Sequence, residues 1–258
     1  MFKFATWNVN SLKVRLVQVL DWLESSQTDV LALQETKLED SAFPKEAFEE
    51  AGYEVIFRGQ KTYNGVAWIS RHAITDAVDA FPGFQDEQKR VLAVTIQQMR
   101  FINVYIPNGQ SLESPKYAYK LQWLEAFTEF VRQELQKYPK LAIVGDFNIA
   151  PEDIDVHDPK MWFGQVLVSE PERQIFAQLL RQGLVDIVRE QHLQDENLYT
   201  WWDYRAAAFR RGMGLRIDHI LLSKTLAEQG MGSGVDKEPR KNERPSDHAP
   251  VWATLRDA

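Results

Sequence analysis

Polar residues that end apolar runs are where chemistry would sit in this chain, because a loop at the end of a buried strand carries a reactive group on a rigid support. Five such places occur: Asn8 follows FKFATW, Glu35 follows DVLALQ, Tyr105 ends FINVY, Asp146 and Asn148 follow LAIVG, and Asp247 and His248 precede APVWATL. Each alone has a plain explanation, since strand-end Asn and Asp cap turns, Tyr105 suits a core, and a single His is usually a hydrogen-bonded side chain. Together they offer three carboxylates, two carboxamides, an imidazole and a phenol. That donor set fits a hard cation and a phosphate group handled beside it.

Asp218 adds a fourth carboxylate. It lies in LRIDHILL, where period-two alternation puts it on the face of Ile220 and Leu222, so it needs a buried partner. Two are open to it: Arg216 on the same face, in a structural ion pair, or His248, which it would orient and charge-stabilise.

Short apolar runs read as the strands that would hold these groups: Phe2–Trp7, Asp29–Leu33, Val66–Ser70, Val91–Ile96, Phe101–Ile106, Leu141–Val144, Leu215–Leu222 and Val251–Leu255. Leu16, Val19, Leu20 and Leu23 recur at helical spacing after Ser11, a candidate N-cap. A longer helix follows Ser114-Pro115, with Leu124, Phe127, Val131 and Leu135 as its stripe and Pro139 as its stop. A third starts at Ser169, whose spacing to Glu172 fits a capping box, and ends at Gly183. Helices separated by several consecutive strands point to packed mixed sheets with helices outside, an α/β sandwich in preference to a doubly wound sheet.

No linker-like tract, repeat or low-complexity segment divides residues 1–258, so one domain is expected. The absence of cysteine excludes disulfides, thiolate metal sites and Cys nucleophiles. MFKFATWNVNS lacks a signal-like apolar core, and no eighteen apolar residues run together, so a cytoplasmic protein without a membrane span is expected. A net charge of -7 argues against binding nucleic acid by blanket electrostatics, so any such contact must be local. Arg205, Arg210, Arg211 and Arg216 form one basic cluster and Arg240, Lys241 and Arg244 a second, each readable as a solvated face.

The strings TWNVNSL, LQETK, NGVA, NVYIPNG, GDFNIAP, TWWDYR, GLRIDHILLS and SDHAPVWA resemble, in order, the exonuclease III family of DNA-repair nucleases, over nearly the whole chain. GDFN and SDHAP are shared across a broader superfamily of phosphoesterases, while TWWDYR with GLRIDHIL narrows the match to the DNA-repair branch. The resemblance implies a four-layer α/β sandwich with two central mixed β-sheets flanked by helices. It also implies a magnesium-dependent phosphodiesterase, with manganese as an alternative, using one or two ions. Its activity would be 3'-5' exonuclease and 3'-phosphatase on duplex DNA with damaged or blocked 3' ends, with abasic-site cleavage as a further activity. A monomer is expected.

Matched motif by motif, Glu35 would be the main metal ligand, with Asn8 and Asp247 beside it. Asp146 and Asn148 would position the attacking water and the phosphate, and with His248 they could form a second metal site. His248 would contact the phosphate, supported by Asp218, and Tyr105 would be the active-site tyrosine. Trp201, Trp202 and Leu215 would lie near the sugar, with Asn108 among the substrate contacts. Lys89, Arg90, Lys116 and Lys120 are candidates to meet phosphates. One departure stands out: in VLVSEPER the family's small glycine or serine is Leu167. A branched side chain there would obstruct a flipped-out abasic sugar while leaving a 3' terminus open to attack.

The competing enzyme reading is a phosphomonoesterase of the same superfamily acting on inositol or nucleotide phosphates, against which TWWDYR argues. A non-catalytic DNA-binding relative would have lost metal or base residues, and none is missing.

Overall fold

A computed structural model describes residues 1–256. The described residues form fourteen strands: β1 (Phe2–Asn8), β2 (Val30–Gln34), β3 (Glu54–Arg58), β4 (Val66–Ser70), β5 (Thr75–Val78), β6 (Val91–Ile96), β7 (Met99–Tyr105), β8 (Leu141–Asp146), β9 (Leu184–Asp186), β10 (Trp201–Trp202), β11 (Gly214–Leu215), β12 (Asp218–Ser223), β13 (Gly230–Val235) and β14 (Val251–Leu255). One six-stranded sheet has the order β13-β14-β1-β2-β4-β3, the other β5-β6-β7-β8-β12-β9, and β10 pairs with β11 alone. Both large sheets are mixed, since β1–β2 and β7–β8 are parallel and their other neighbours antiparallel.

The helices are α1 (Leu12–Ser26), α2 (Lys45–Glu50), α3 (Pro115–Lys137), α4 (Pro159–Trp162), α5 (Glu170–Arg181), α6 (Ile187–Gln191) and α7 (Lys224–Ala227). Leu12, Val19, Trp22 and Leu23 of α1 bury against Ala5, Trp7, Leu31 and Leu33 on the outer face of the first sheet. On the second sheet, Trp123, Leu124, Phe127 and Val131 of α3 and Phe176 and Leu179 of α5 cover Ile102, Ile143 and Leu221. Each such side chain contributes roughly 1.5–3 kcal/mol by leaving water, so packing, more than helix propensity, fixes the outer layers. The result is the four-layer α/β sandwich expected from the sequence.

The ends behave as their residues dictate. Ser114 accepts the Lys116 N–H and Pro115 fills the first turn of α3, while Ser169 and Glu172 form the capping box of α5. Ser11 stands at the start of α1 but makes no side-chain cap there.

Period-two alternation aims the site. Phe2 and Phe4 of β1, Val30 and Ala32 of β2, Ala142 and Val144 of β8, and Ile220 and Leu222 of β12 line the core between the sheets. Continuing those faces to one edge gives Asn8, Gln34, Asp146 and Asp218, and Tyr105 continues the Phe101 face of β7. Gln34 Nε2 donates to Asn103 Oδ1 at 2.8 Å, so a polar link joins the sheets just beneath that edge.

One expectation needs correcting. LRIDHILL is not one strand: it breaks at Arg216-Ile217, where the chain leaves β10 and joins β8. Thr200 Oγ1 accepts from both Ile217 N and Asp218 N at 3.0 Å, satisfying the backbone through the break. GMGSGV, which apolar patterning does not mark, forms β13 despite its glycines. A Cβ at Gly234 would come 3.3 Å from the Trp252 ring, so the small residues let β13 lie flat under that indole.

Candidate active site

Asn8 and Asp146, the last residues of β1 and β8, meet across the two sheets, with Asn8 Nδ2 2.9 Å from Asp146 Oδ2. The same amide nitrogen donates to Glu35 Oε2 at 3.0 Å. Asn8 Oδ1 accepts the Asn10 N–H, so ligation of a cation through that oxygen would require the amide to turn over. Glu35 follows β2 with φ 57°, a left-handed conformation that lifts its carboxylate out of the strand direction. It pairs with Lys37 Nζ at 3.1 Å and accepts a hydrogen bond from the Tyr105 phenol. Burial, then the Glu35 and Asp146 carboxylates, pushes the Tyr105 hydroxyl well above its ordinary pKa, so it stays protonated as a donor.

Asp146 also accepts the Asn148 N–H at 2.9 Å. Asn148, at φ 49°, donates its side-chain amide to Ile106 O at 2.9 Å and accepts from Asn108 Nδ2 at 3.0 Å. Opposite Asp146 in the β8–β12 ladder stands Asp218. Its Oδ2 lies 2.8 Å from His248 Nδ1, and the other imidazole nitrogen faces Asp146 Oδ2 at 3.7 Å. Of the two partners open to Asp218, the contact is with His248. Arg216 instead pairs with Asp155 and Asp186, both at 2.7 Å.

Burial alone would depress His248, but Asp218 and then Asp146 outweigh it and raise its pKa, so the ring is held as imidazolium. Burial likewise raises Asp146 against the lowering pull of His248, giving a carboxylate with unusual proton affinity. Asp218 Oδ1 is buried without a hydrogen-bond partner. Among the described residues, Asp146, Asp218 and His248 form the one group of acidic or imidazole ligand atoms within 4.8 Å of one another. An orphaned carboxylate oxygen in such a set fits a metal ion. Glu35 and Asp247 lie outside that group. Asp247 is held from two sides, by Asn10 Nδ2 at 3.0 Å and Trp201 Nε1 at 2.9 Å.

Leu167, Leu215 and Trp201 share one apolar cluster with Ile217 and Val156. Trp202 does not join them: it is 2% exposed and packs with Phe209 and Ala249 on the other side of the short ladder. Leu167 has φ 78°, and its backbone is fixed by Glu172 Oε1 on its N–H and by the Ala150 N–H on its carbonyl. A cleft of about 620 Å³ opens beside the site, lined by Tyr63, Arg90, Tyr105, Asn108, Lys116 and Tyr119.

Lys120 is misread by sequence as a phosphate contact. It is 0% exposed, paired with Glu172, and donates to Asn148 O at 2.7 Å and Asn108 O at 3.1 Å. It therefore holds the loops that carry both asparagines. Arg240, read as part of a basic surface run, is also buried. Conversely, Asn10 and Lys37 were not singled out, although Lys37 Nζ bridges Glu35 and Asn10 Oδ1, the latter at 2.6 Å. Their signal was spacing: each lies two residues past a strand-end candidate, within TWNVNSL and LQETK.

The endonuclease/exonuclease/phosphatase family model matches residues 5–248. Exodeoxyribonuclease III of Haemophilus influenzae is 35% identical, with 98% of this chain and 100% of that protein covered. The 3' phosphatase NExo from Neisseria, solved with a product DNA hairpin, is 48% identical with a TM-score of 0.98, covering 100% of both chains. An AP endonuclease from Archaeoglobus fulgidus is 38% identical with a TM-score of 0.96 and covers 99% of each chain. No helix among the described residues is long and apolar enough to cross a membrane. With the family model spanning nearly the whole sandwich and the polar ends of its strands gathered at one edge, the chain belongs to the endonuclease/exonuclease/phosphatase family.

Proposed function

We propose that this chain is a magnesium-dependent DNA-repair nuclease that processes 3' ends of duplex DNA, removing 3' phosphates and terminal nucleotides in preference to cutting at abasic sites. The observation that carries this is the juxtaposition of Asp146, His248 and the unpartnered oxygen of Asp218 at the sheet edge, beside an open cleft with Arg90 and Lys116. Likeness to an exodeoxyribonuclease III, a 3' phosphatase and an AP endonuclease supports the substrate class.

Magnesium, held by Glu35, Asn8 and Asp247 or by the carboxylates of Asp146 and Asp218, would supply positive charge to the phosphate and to the oxygen that departs. Asp146 takes the proton of the attacking water, a role suited to a carboxylate whose proton affinity burial has raised. Asn148 steadies that water beside it. His248, kept protonated by Asp218, and the Tyr105 phenol donate to the phosphoryl oxygens as negative charge builds on them. Water oxygen bonds to phosphorus, the phosphorus–oxygen bond to the sugar breaks, and the departing 3' oxygen takes a proton from solvent, to which Asp146 returns the one it gained, so a free 3' hydroxyl remains. Leu167, walled in beside Trp201 and Leu215, fills the space a flipped-out sugar would need and so favours ends over abasic sites.

The test is turnover with magnesium, against binding in chelator, on 3'-phosphorylated duplex, abasic duplex and a soluble inositol or nucleotide phosphate. Release from the 3'-phosphorylated duplex is expected to dominate. Preference for the soluble ester would replace this reading with the phosphomonoesterase one, and DNA binding without turnover would leave a non-catalytic relative.

A further inference from the structure

Arg240 sits where an exposed basic run was expected, yet it is 7% exposed. Its guanidinium lies over three rings, with its carbon 4.8 Å from the Phe209 centroid, 5.8 Å from Trp202 and 5.9 Å from Tyr204. One terminal nitrogen donates to the Ser246 carbonyl, and Nε, also buried, has no partner. A planar cation stacks on aromatic faces while its edge still donates, which a lysine cannot reproduce.

The contacts join two segments. Trp202, Tyr204 and Phe209 anchor the loop 203–213, from which Arg205, Arg210 and Arg211 project into solvent. Ser246 opens the turn that carries Asp247 and His248. Its hydroxyl donates to Asn8 O at 2.6 Å and accepts the His248 N–H at 3.2 Å. Trp202 N donates to Asp247 O at 3.0 Å, so the two segments are also laced through the backbone.

Resting on the nuclease reading above, we infer that Arg240 is a positioning residue coupling the arginine-bearing loop 203–213 to the Ser246–His248 turn. Phosphates gripped by Arg205, Arg210 and Arg211 thereby load the loop whose rings enclose Arg240, and Arg240 sets Ser246, hence the seat of Asp247 and His248.

The experiment compares Arg240→Met with Lys241→Ala, whose parent side chain is exposed and pairs with Glu238. For Arg240→Met, kcat for 3'-phosphate release is expected to fall at least about tenfold, with KM and DNA affinity in chelator within about threefold, as for a small misplacement of reacting groups. Hydrogen exchange should quicken together in residues 201–204 and 246–249. Lys241→Ala should leave kcat and exchange unchanged. Arg240→Lys keeps the charge and gives the same measurements should the Met variant fold poorly. Unchanged kcat with a lower melting temperature would reduce Arg240 to a structural residue. A loss confined to affinity, with a weaker salt dependence, would make it a phosphate contact after all. Exchange that quickens in one segment alone would overturn the coupling. Absence of turnover in the unsubstituted protein would sink the nuclease reading instead, and exchange would then decide the coupling by itself.

Discussion

His248 and His219 are both sealed from solvent, 4% and 0% exposed, and their environments drive them to opposite protonation states. His248 faces two carboxylates, Asp218 and Asp146, and is held as a cation. His219 neighbours Asp218 in sequence but points to the other face of β12, where Arg216 Nη1 lies 3.0 Å from its Nδ1 and Ile149 O 2.8 Å from its Nε2. Burial and the Arg216 guanidinium lower it to about 4, so it is neutral, with its proton on Nε2. Burial alone therefore says nothing of function. The difference lies in closure. Arg216 is bound by Asp155 and Asp186, and Arg189 completes Asp155, whereas the His248 group ends in a carboxylate oxygen with no partner. The network whose carboxylate oxygens are all paired holds the fold, and the one with an unpaired carboxylate oxygen is left for a ligand.

The hardest test of that contrast removes a charge from the open network. Asp146→Asn should cut magnesium-dependent cleavage by about a thousandfold or more with the melting temperature nearly unchanged, and Glu35→Gln should act in the same sense. Steady-state rates beside a thermal melt decide it, and near-normal turnover by folded Asp146→Asn would end the proposed mechanism. In the closed network the effects should invert. Arg216→Met leaves Asp155 and Asp186 buried without their shared cation and should cost about 3–5 kcal/mol, with turnover per folded molecule retained. Chemical denaturation and active-site-normalised rates separate the two. Between them stands Asp218→Asn, which should lower kcat by about 100-fold and move its pH profile, because the imidazolium loses its charged partner. If that variant merely melts earlier at unchanged turnover, Asp218 belongs with the structural group.

The two histidines also mark what the sequence could disclose. Reading Asn8 and Asp146 as the polar ends of apolar runs, and Asp218 from the alternation in DHILL, was enough to pick out three residues that continue the faces between the sheets to one edge. It could not choose between Arg216 and His248 for Asp218, because the break at Ile217 undoes the shared face that the alternation implied. Lys120 and Arg240 were misread for a related reason. Their partners, Glu172 and the Trp202–Tyr204–Phe209 rings, are distant in sequence, and nothing local separates a buried lysine or arginine from a solvated one. Ser169 was legible because its partner lies three residues away.

A smaller effect tests the closed network by pH. In the unfolded chain His219 gains its proton below about pH 6.5, while the folded protein resists until about 4. Between those values the unfolded state binds more protons, so stability is fully present above pH 6.5 and declines as pH falls, by about 3 kcal/mol at pH 4. Denaturation midpoints from pH 7 to 4 should show this slope, and His219→Gln should flatten it. An unaltered slope would assign the acid sensitivity to other groups, such as Asp155, which Arg216 and Arg189 hold below its ordinary range despite its burial.

The smallest expected effect lies where the two kinds of network touch. Leu167 hangs from the buried Lys120–Glu172 pair through its N–H and from Ala150 through its carbonyl, so its backbone is fixed from both sides. Its side chain is packed in one apolar cluster with Val156, Leu215 and Ile217. Admitting an abasic sugar against that wall is overpacking, which costs about 1–3 kcal/mol, whereas a terminal 3' phosphate does not enter the space. Each 1.4 kcal/mol is about tenfold in rate, so Leu167→Gly should raise abasic cleavage relative to 3'-phosphate release by roughly one order of magnitude. Stability should fall by about 1–3 kcal/mol, because truncating a buried leucine costs about 2–5 kcal/mol and glycine, which adopts φ 78° freely, recovers about 1–2 kcal/mol of left-handed strain. Measuring both activities on matched duplexes gives the ratio directly. A rise would mean that the closed network, by fixing this backbone, sets what the open one receives; an unchanged ratio would leave Leu167 as packing beneath α5 with no part in substrate choice.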